Sequence, residues 1–194
     1  SLAATIMPAF DQLTLDTPRL TLRPLRESDI TALFRIFSDP EVMRYWSTPP
    51  WQSEEEAVKL VARDQLAMPQ GDFLRLGLEL KAGGELIGHC CLFSFSEQSR
   101  RCEIGYGMAR QHWGKGLMHE ALEALVGYAF ETLQLNRIEA DIDPRNEGSA
   151  NSLTRLGFVR EGYLRERWIV DGVVSDTGLY GLIKRDWLAR TGKQ

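Results

Sequence analysis

What this sequence has little of already narrows its function. No apolar run approaches the 18 or so residues a membrane-spanning helix needs, so no membrane partner is expected. Cysteine is scarce: Cys90, Cys91 and Cys102 are the only three, and two are adjacent. An odd count with neighbouring residues makes no disulfide framework and points to a reducing, cytoplasmic setting. The thiols fall on strand-like segments, where buried structural cysteine is the ordinary account. His89, His112 and His119 stand at no metal-ligand spacing with them, so no metal is expected. Positive charge is not in excess. The 23 Lys and Arg against 27 Asp and Glu leave a net charge of -4, which excludes a general nucleic-acid binder. The same balance suits a cationic acceptor. The opening SLAATIMPAF lacks the basic n-region and cleavage pattern of a signal peptide, and reads as a frayed start.

What is present is the mixture of an ordinary globular protein, 43% hydrophobic and 26% charged. A length of 194 residues suits one domain with a substantial core, and no repeat or linker divides it. In TPRLTLRP (17–24), Leu20 and Leu22 point one way and Arg19, Thr21 and Arg23 the other, the pattern of a half-buried strand. Ser28 or Asp29 caps a helix carrying Ile30, Leu33, Phe34 and Phe37, ended by Asp39-Pro40. After the aromatic segment YWSTPPW (45–51), Ser53 and Glu56 form a capping-box pattern for a second helix reaching about Pro69. Strands follow over 73–80 and 85–95, with the Gly83-Gly84 turn between them, and over 101–109. The spacing of Met118, Leu122, Leu125, Ala129 and Leu133 predicts a long helix over 116–133. A strand over 137–143, a short helix over 148–156, and two strands over 158–170 and 173–183 complete the chain. Asp171-Gly172 is the hairpin signal joining that last pair. The total is about seven strands and four helices, a mixed α/β class.

The stretch EIGYGMARQHWGKGLMHEAL (103–122) carries the chemistry. A strand ends, a short loop holds Gly114 and Gly116, and a helix begins. Helix N-termini present unpaired N–H groups and a positive dipole end, which favour phosphate, and Lys115 adds a charge beside them. It is neither a Walker A loop nor a dinucleotide fingerprint. Taken alone, Gly114-x-Gly116 is equally a helix entry with two permissive glycines.

Context distinguishes the two. The pattern Gln111-x-x-Gly114-x-Gly116 after a strand resembles the acetyl-CoA-binding motif of the GCN5-related N-acetyltransferases. A second motif of that family is matched by Asn146-x-x-Ser149, Leu156-Gly157-Phe158 and Glu161-Gly162. TPRLTLRPL with Asp29, the EIGY strand and the Trp113 loop resemble the branch that acetylates ribosomal-protein N-termini. The resemblance covers about 15–187, within a single acyl-CoA N-acyltransferase domain spanning 1–194. It implies a mostly antiparallel sheet, splayed at the cofactor site, and direct transfer of an acetyl or similar acyl group from acyl-CoA to an amine.

By that resemblance, backbone groups at Met108, Ala109 and Arg110 pair with the pantetheine arm. Gln111, His112, Trp113, Gly114, Lys115, Gly116 and Leu117 wrap the pyrophosphate, and Asn146 contacts the cofactor from the next strand end. The amine must lose a proton, the oxyanion needs a donor, and a thiolate with a thiol pKa of roughly 8.5 leaves tolerably well. Glu103 is the candidate base; the plainer account is a strand glutamate paired with Arg101 or another base. Many relatives place a tyrosine four residues before the Gly-Phe pair to protonate the thiolate, but here that position is Leu153. Ser149 can donate instead, or it can simply cap its helix. Tyr45, Trp46 and Trp51 form an apolar wall for the acceptor, and Arg165, Glu166, Arg167 and Trp168 orient a charged one, unless they only pack. His112 and His119 are otherwise loop and helix-surface residues. The acceptor is an amine-bearing small molecule (polyamine, amino acid or aminoglycoside) or a peptide N-terminus. The competing function is a non-catalytic acyl-CoA sensor, for which Leu153 speaks, and the exposed-looking aromatics leave room for a homodimer.

Overall fold

The computed structural model describes residues 7–193. The strands are β1 (Leu15–Asp16), β2 (Leu20–Arg23), β3 (Leu74–Leu80), β4 (Leu86–Ser96), β5 (Arg101–Met108), β6 (Arg137–Ile142), β7 (Val159–Val170) and β8 (Val173–Ile183). The helices are α1 (Ile30–Phe37), α2 (Pro40–Met43), α3 (Glu54–Ala67), α4 (Leu117–Glu131), α5 (Glu147–Leu156) and α6 (Lys184–Thr191). One sheet runs β1-β2-β3-β4-β5-β6-β8-β7. Every neighbouring pair is antiparallel except β5 and β6. The mixed, mostly antiparallel architecture expected from the sequence is present. It has eight strands among the described residues instead of about seven, and six α-helices instead of about four.

The extra elements are short or poorly patterned. β1 is two residues that fold back on β2. Asp39-Pro40 ends α1 and also starts α2: Pro40 cannot continue a helix but suits a first turn, and the Asp39 carboxylate accepts from the Glu41 N–H. The mostly polar α6 hangs on one anchor, Trp187, whose ring lies 5.4 Å from Phe130. A single anchor leaves no apolar stripe to read.

Two apolar layers sandwich the sheet. The larger joins Leu20 and Leu22, the inner faces of β3–β6, and α4, α5 and Trp187. The smaller holds α1–α3 against the opposite face around Phe37, Val42 and Leu60. Arg23 lies on the opposite side of β2 from the leucines, as its alternation predicts, but is buried there. Asp29 meets its guanidinium at 2.8 and 2.9 Å and also accepts from Arg26 N–H. A buried charge survives because it is paired and hydrogen-bonded. The expected capping box at α3 is not formed: Ser53 makes no side-chain cap, and Glu56 accepts not from Ser53 but from Gln52 N–H, one residue earlier, at 2.7 Å. The frayed start is corrected from Met7 onward. Phe10 is fully buried, donates its N–H to Met68 O and lies 5.8 Å from Phe95; residues 1–6 lie outside the described range. The hairpin turn is as expected, with both Asp171 and Gly172 at positive φ.

Candidate functional site

The parallel pair β5–β6 is registered only through Arg101–Arg137, Cys102–Ile138 and Glu103–Glu139. Beyond Glu103 the strands part, so from Ile104 to Met108 one edge of β5 has no sheet partner. Unpaired strand backbone is a template for an extended polar chain. The gap opens into a groove of about 720 Å³, within the range of small-molecule sites. Its walls come from the Arg44–Trp46 segment, the end of β5, the start of α4 and the first turns of α5.

At the groove's head, Gly114 and Gly116 both have φ +76°, a conformation that costs other residues strain. Gly116 is the N-cap of α4 and offers no side-chain cap, so the helix's first N–H groups keep their outward dipole. The helix start is braced from outside. Glu120 accepts from Thr17 Oγ1 at 2.6 Å, Arg19 N–H at 2.8 Å and Arg19 Nε at 2.9 Å. Arg19 also donates to Lys115 O at 2.9 Å. Burial works against the Glu120 carboxylate, but the bonds from Thr17 and Arg19 outweigh it and hold its pKa below the usual value. His119 lines the groove with a buried Nδ1 that has no partner among the described residues. Burial, and then repulsion from Arg155, lower its pKa. His119 Nε2 lies 3.4 Å from the Glu123 carboxylate, which fixes its proton there and leaves Nδ1 an acceptor. The donors turned into the groove are the unpaired strand edge and the uncapped helix start, a set suited to a ligand polar along its length and anionic at one end.

Of the residues singled out for the cofactor, Met108, Trp113, Gly114, Gly116, Leu117 and Asn146 line this groove. Ala109, Arg110, Gln111, His112 and Lys115 do not. Arg110 pairs with Asp39 at 3.3 Å, and His112 lies 3.5 Å from Glu85. Two backbone groups expected to face the pantetheine are already engaged: Trp113 Nε1 donates to Met108 O at 2.8 Å, and Ala109 N–H donates to Ile87 O at 2.8 Å. Asn146 is the N-cap of α5, its Oδ1 accepting from Ser149 N–H at 3.1 Å. That removes the capping account of Ser149, which occupies the third helical position. Its Oγ instead meets Tyr106 Oη at 2.6 Å. Burial raises the Tyr106 phenol to about 12. Leu153 is fully buried in the larger core, so the position of the missing tyrosine presents no polar group.

Glu103 stands at the root of the splay. It lies opposite Glu139, on the side of β5 away from the residues packed in the larger core, and it does not line the groove. The plainer account of an Arg101 pair does not hold: Arg101 pairs with Glu139 at 3.3 Å, and Glu103 makes no ion pair among the described residues. Tyr45 and Trp46 line the groove, whereas Trp51 packs on Phe37 with ring centroids 5.3 Å apart. Gly107 leaves room for Trp46, since a Cβ there would sit 2.5 Å from its ring. Arg167 and Trp168 lie on the terminal hairpin, outside this groove. Arg167 stacks 5.0 Å from Trp168, whose Nε1 donates to Thr177, which donates in turn to Asp141, each at 2.9 Å. Arg165, Glu166 and Arg167 line a separate shallow depression with Tyr163 and Asp176.

Sequence reasoning missed Tyr106, Arg145, Asn151, Ser152 and Arg155, which also line the groove. Arg145 is held by Asp143 at 2.7 Å and lies 5.6 Å from the Tyr45 ring, tying the aromatic segment to the end of β6. Ser149, Ser152 and Arg155 repeat at intervals of three, and Arg155 follows Asn151 by four, a periodic polar face that was available as a signal. Cys90, Cys91 and Cys102 are buried free thiols, and burial pushes each pKa up. Among the described residues there is no cluster of three or more metal-ligating side chains, and no helix long and apolar enough to cross a membrane.

Comparison with known proteins adds to this geometry. A family model described as an acetyltransferase (GNAT) domain matches residues 19–159. An uncharacterized N-acetyltransferase of Bacillus licheniformis is 36% identical over 174 residues, 90% of this chain and 98% of that protein. The [ribosomal protein uS5]-alanine N-acetyltransferase of Escherichia coli is 31% identical over 186 residues, 91% of this chain and 93% of that protein. Among solved structures, spermidine N-acetyltransferase from Vibrio cholerae, in complex with CoA and spermine, matches with TM-score 0.77 and 25% identity. That match covers 88% of this chain and 98% of the other. Mycobacterium smegmatis RimJ, in complex with CoA-disulfide, has TM-score 0.83 at 24% identity and coverages of 96% and 98%, a likeness of fold.

Proposed function

This chain belongs to the GNAT family of N-acetyltransferases, and from that premise we propose that it acetylates the N-terminal amine of a peptide or protein in the cytoplasm, with acetyl-CoA as donor. The observation that carries the donor site is the gap between β5 and β6 running up to the uncapped, glycine-opened start of α4. Acetyl-CoA supplies an acyl carbon with a thiolate leaving group. Gly114, Gly116 and Leu117 hold the pyrophosphate by their N–H groups, and the free edge of β5 takes the pantetheine arm. Glu103, unpaired at the root of the splay, accepts the amine's proton, directly or through a water. Ser149 donates a hydrogen bond to the leaving sulfur, the role Leu153 has no group to perform. Tyr45, Trp46 and Arg145 shape the acceptor's approach.

The preference for a peptide terminus rests on the 31% identity to the uS5-alanine enzyme over nearly the full length of both chains. A second reading, acetylation of a polyamine, draws on the 26% identity to the Escherichia coli spermidine N(1)-acetyltransferase over 168 residues. Thiol release from acetyl-CoA separates them when a peptide beginning with alanine is compared with spermidine. A higher kcat/KM for the peptide supports the first reading, and a higher value for spermidine replaces it with the second. Glu103→Gln is expected to lower kcat by roughly 10²–10⁴-fold while acetyl-CoA affinity stays unchanged. Full kcat in that variant removes Glu103 from the mechanism. Tight acetyl-CoA binding without thiol release from any amine favours a sensor.

A further inference from the structure

Ser149 Oγ and Tyr106 Oη are 43 positions apart in sequence and 2.6 Å apart in space. They bridge the two elements that flank the gap: Tyr106 stands on the unpaired stretch of β5, and Ser149 on the first turns of α5. Both line the groove. Each hydroxyl has one proton, and distance alone leaves open which oxygen donates. Relative acidity points to the phenol, the more acidic hydroxyl and so the better donor, with the serine oxygen the better acceptor. Tyr106 has no other hydrogen-bond partner among the described residues, and its ring packs on the larger core. With the phenol as donor, its proton is satisfied and the serine proton is free to turn into the groove.

We propose that Tyr106 is a positioning residue for Ser149: its phenol donates to Ser149 Oγ, fixing the hydroxyl so that the serine's own proton points at the leaving sulfur. The inference rests on the donor-site reading above and goes beyond it. A tyrosine on the strand makes a serine on the helix into a directed donor, in a chain whose usual tyrosine position is an apolar core residue, Leu153. No proton changes oxygen in this arrangement. Both hydroxyls keep theirs, and the serine contributes a hydrogen bond. A phenol raised to about 12 by burial stays protonated throughout the working range, as a permanent donor must. A polarised chain of two hydroxyls is also a stronger donor at its end than a lone serine.

The test needs no acceptor. Free CoA is bound to the wild type, Tyr106→Phe, Ser149→Ala and the double variant. The bound thiol is titrated by its ultraviolet thiolate absorbance, and CoA affinity is measured by calorimetry below the titration range. A directed donor stabilises the thiolate, so the bound thiol should titrate about one pH unit below free CoA titrated alongside it. Either single variant should return most of that shift, and the double variant no more. Affinity for the protonated thiol should stay within about threefold, because pyrophosphate and arm contacts are untouched. Phe keeps the ring that packs on the core, and Ser149→Ala removes the same bond from the other side, so misfolding of one variant leaves the other to report. A thiol that titrates as in the wild type in Tyr106→Phe but shifts in Ser149→Ala overturns the positioning role, as do additive shifts in the double variant. No shift in Ser149→Ala removes the serine from the sulfur. Failure of the wild type to bind CoA at all overturns the donor site itself and is recognised separately.

Discussion

Gly116→Ala separates an anion cradle from a mere helix entry. Gly116 sits at φ +76° and ψ 8°, and a Cβ there would come no closer than 3.5 Å to Arg19 NH2. Steric collision is therefore minor, and the cost is the strain of a left-handed alanine, about 1–2 kcal/mol. For a chain of this size that lowers Tm by roughly 2–8 °C at 2–4 °C per kcal/mol. Relief of the strain rotates the first N–H groups of α4 away from the groove. One lost hydrogen bond to a charged phosphate is worth about 1.5–3 kcal/mol, a ten- to hundredfold rise in Kd for CoA. Gly192→Ala is the matched control: Gly192 has φ +71° with nothing within 4 Å of its Cβ, far along the chain at the end of α6. Thermal unfolding and calorimetric CoA binding are measured on both. Equal losses of Tm with a Kd change confined to Gly116→Ala are expected. If Kd for Gly116→Ala stays within about twofold of the wild type while Tm falls as in the control, the start of α4 does not hold the pyrophosphate.

Two further predictions concern the scaffold. Asp29→Ala strands Arg23, whose side chain is only 9% exposed. Loss of one partner of a buried pair costs about 3–5 kcal/mol, and Glu79 at 3.3 Å places the result at the low end, near 3. Urea unfolding giving less than about 1 kcal/mol would show that the pair is not structurally important. His89 is buried between Arg75, Phe37 and Trp46, and burial first, then the Arg75 charge, holds its pKa well below 6.5. The unfolded chain then takes up the proton first, so stability is complete above about pH 6.5 and declines as pH falls toward the folded pKa. The slope is at most ~1.4 kcal/mol per pH unit, or about 2 kcal/mol between pH 6.5 and 5. Unfolding of His89→Gln should be correspondingly flatter over that interval, and parallel profiles for the two proteins would refute the assignment.

The sequence by itself determined the features that depend on neighbours along the chain. The long helices and strands were legible to within a few residues because period 3.6 and period 2 are local properties. Gly114 and Gly116 announced the uncapped start of α4 because a helix start needs only its own loop. The Asp171-Gly172 turn was visible for the same reason. Short β1, Pro40-led α2 and one-anchor α6 carried too few periodic positions to read. The tertiary structure alone decided who partners whom. Glu103 could be paired or free on sequence evidence, and the fold gives Arg101 to Glu139. Ser149 could cap or donate, and the fold gives the cap to Asn146 and the Ser149 hydroxyl to a tyrosine on another strand. Arg23 reads as a surface residue until Asp29 closes over it. Hydrogen bonds and ion pairs between distant residues leave no periodic trace, because one contact satisfies a buried charge or hydroxyl wherever in the chain its partner comes from. The chemical class was therefore written in local motifs, and the geometry that would direct a proton or a hydrogen bond arose only when β5 and α5 met.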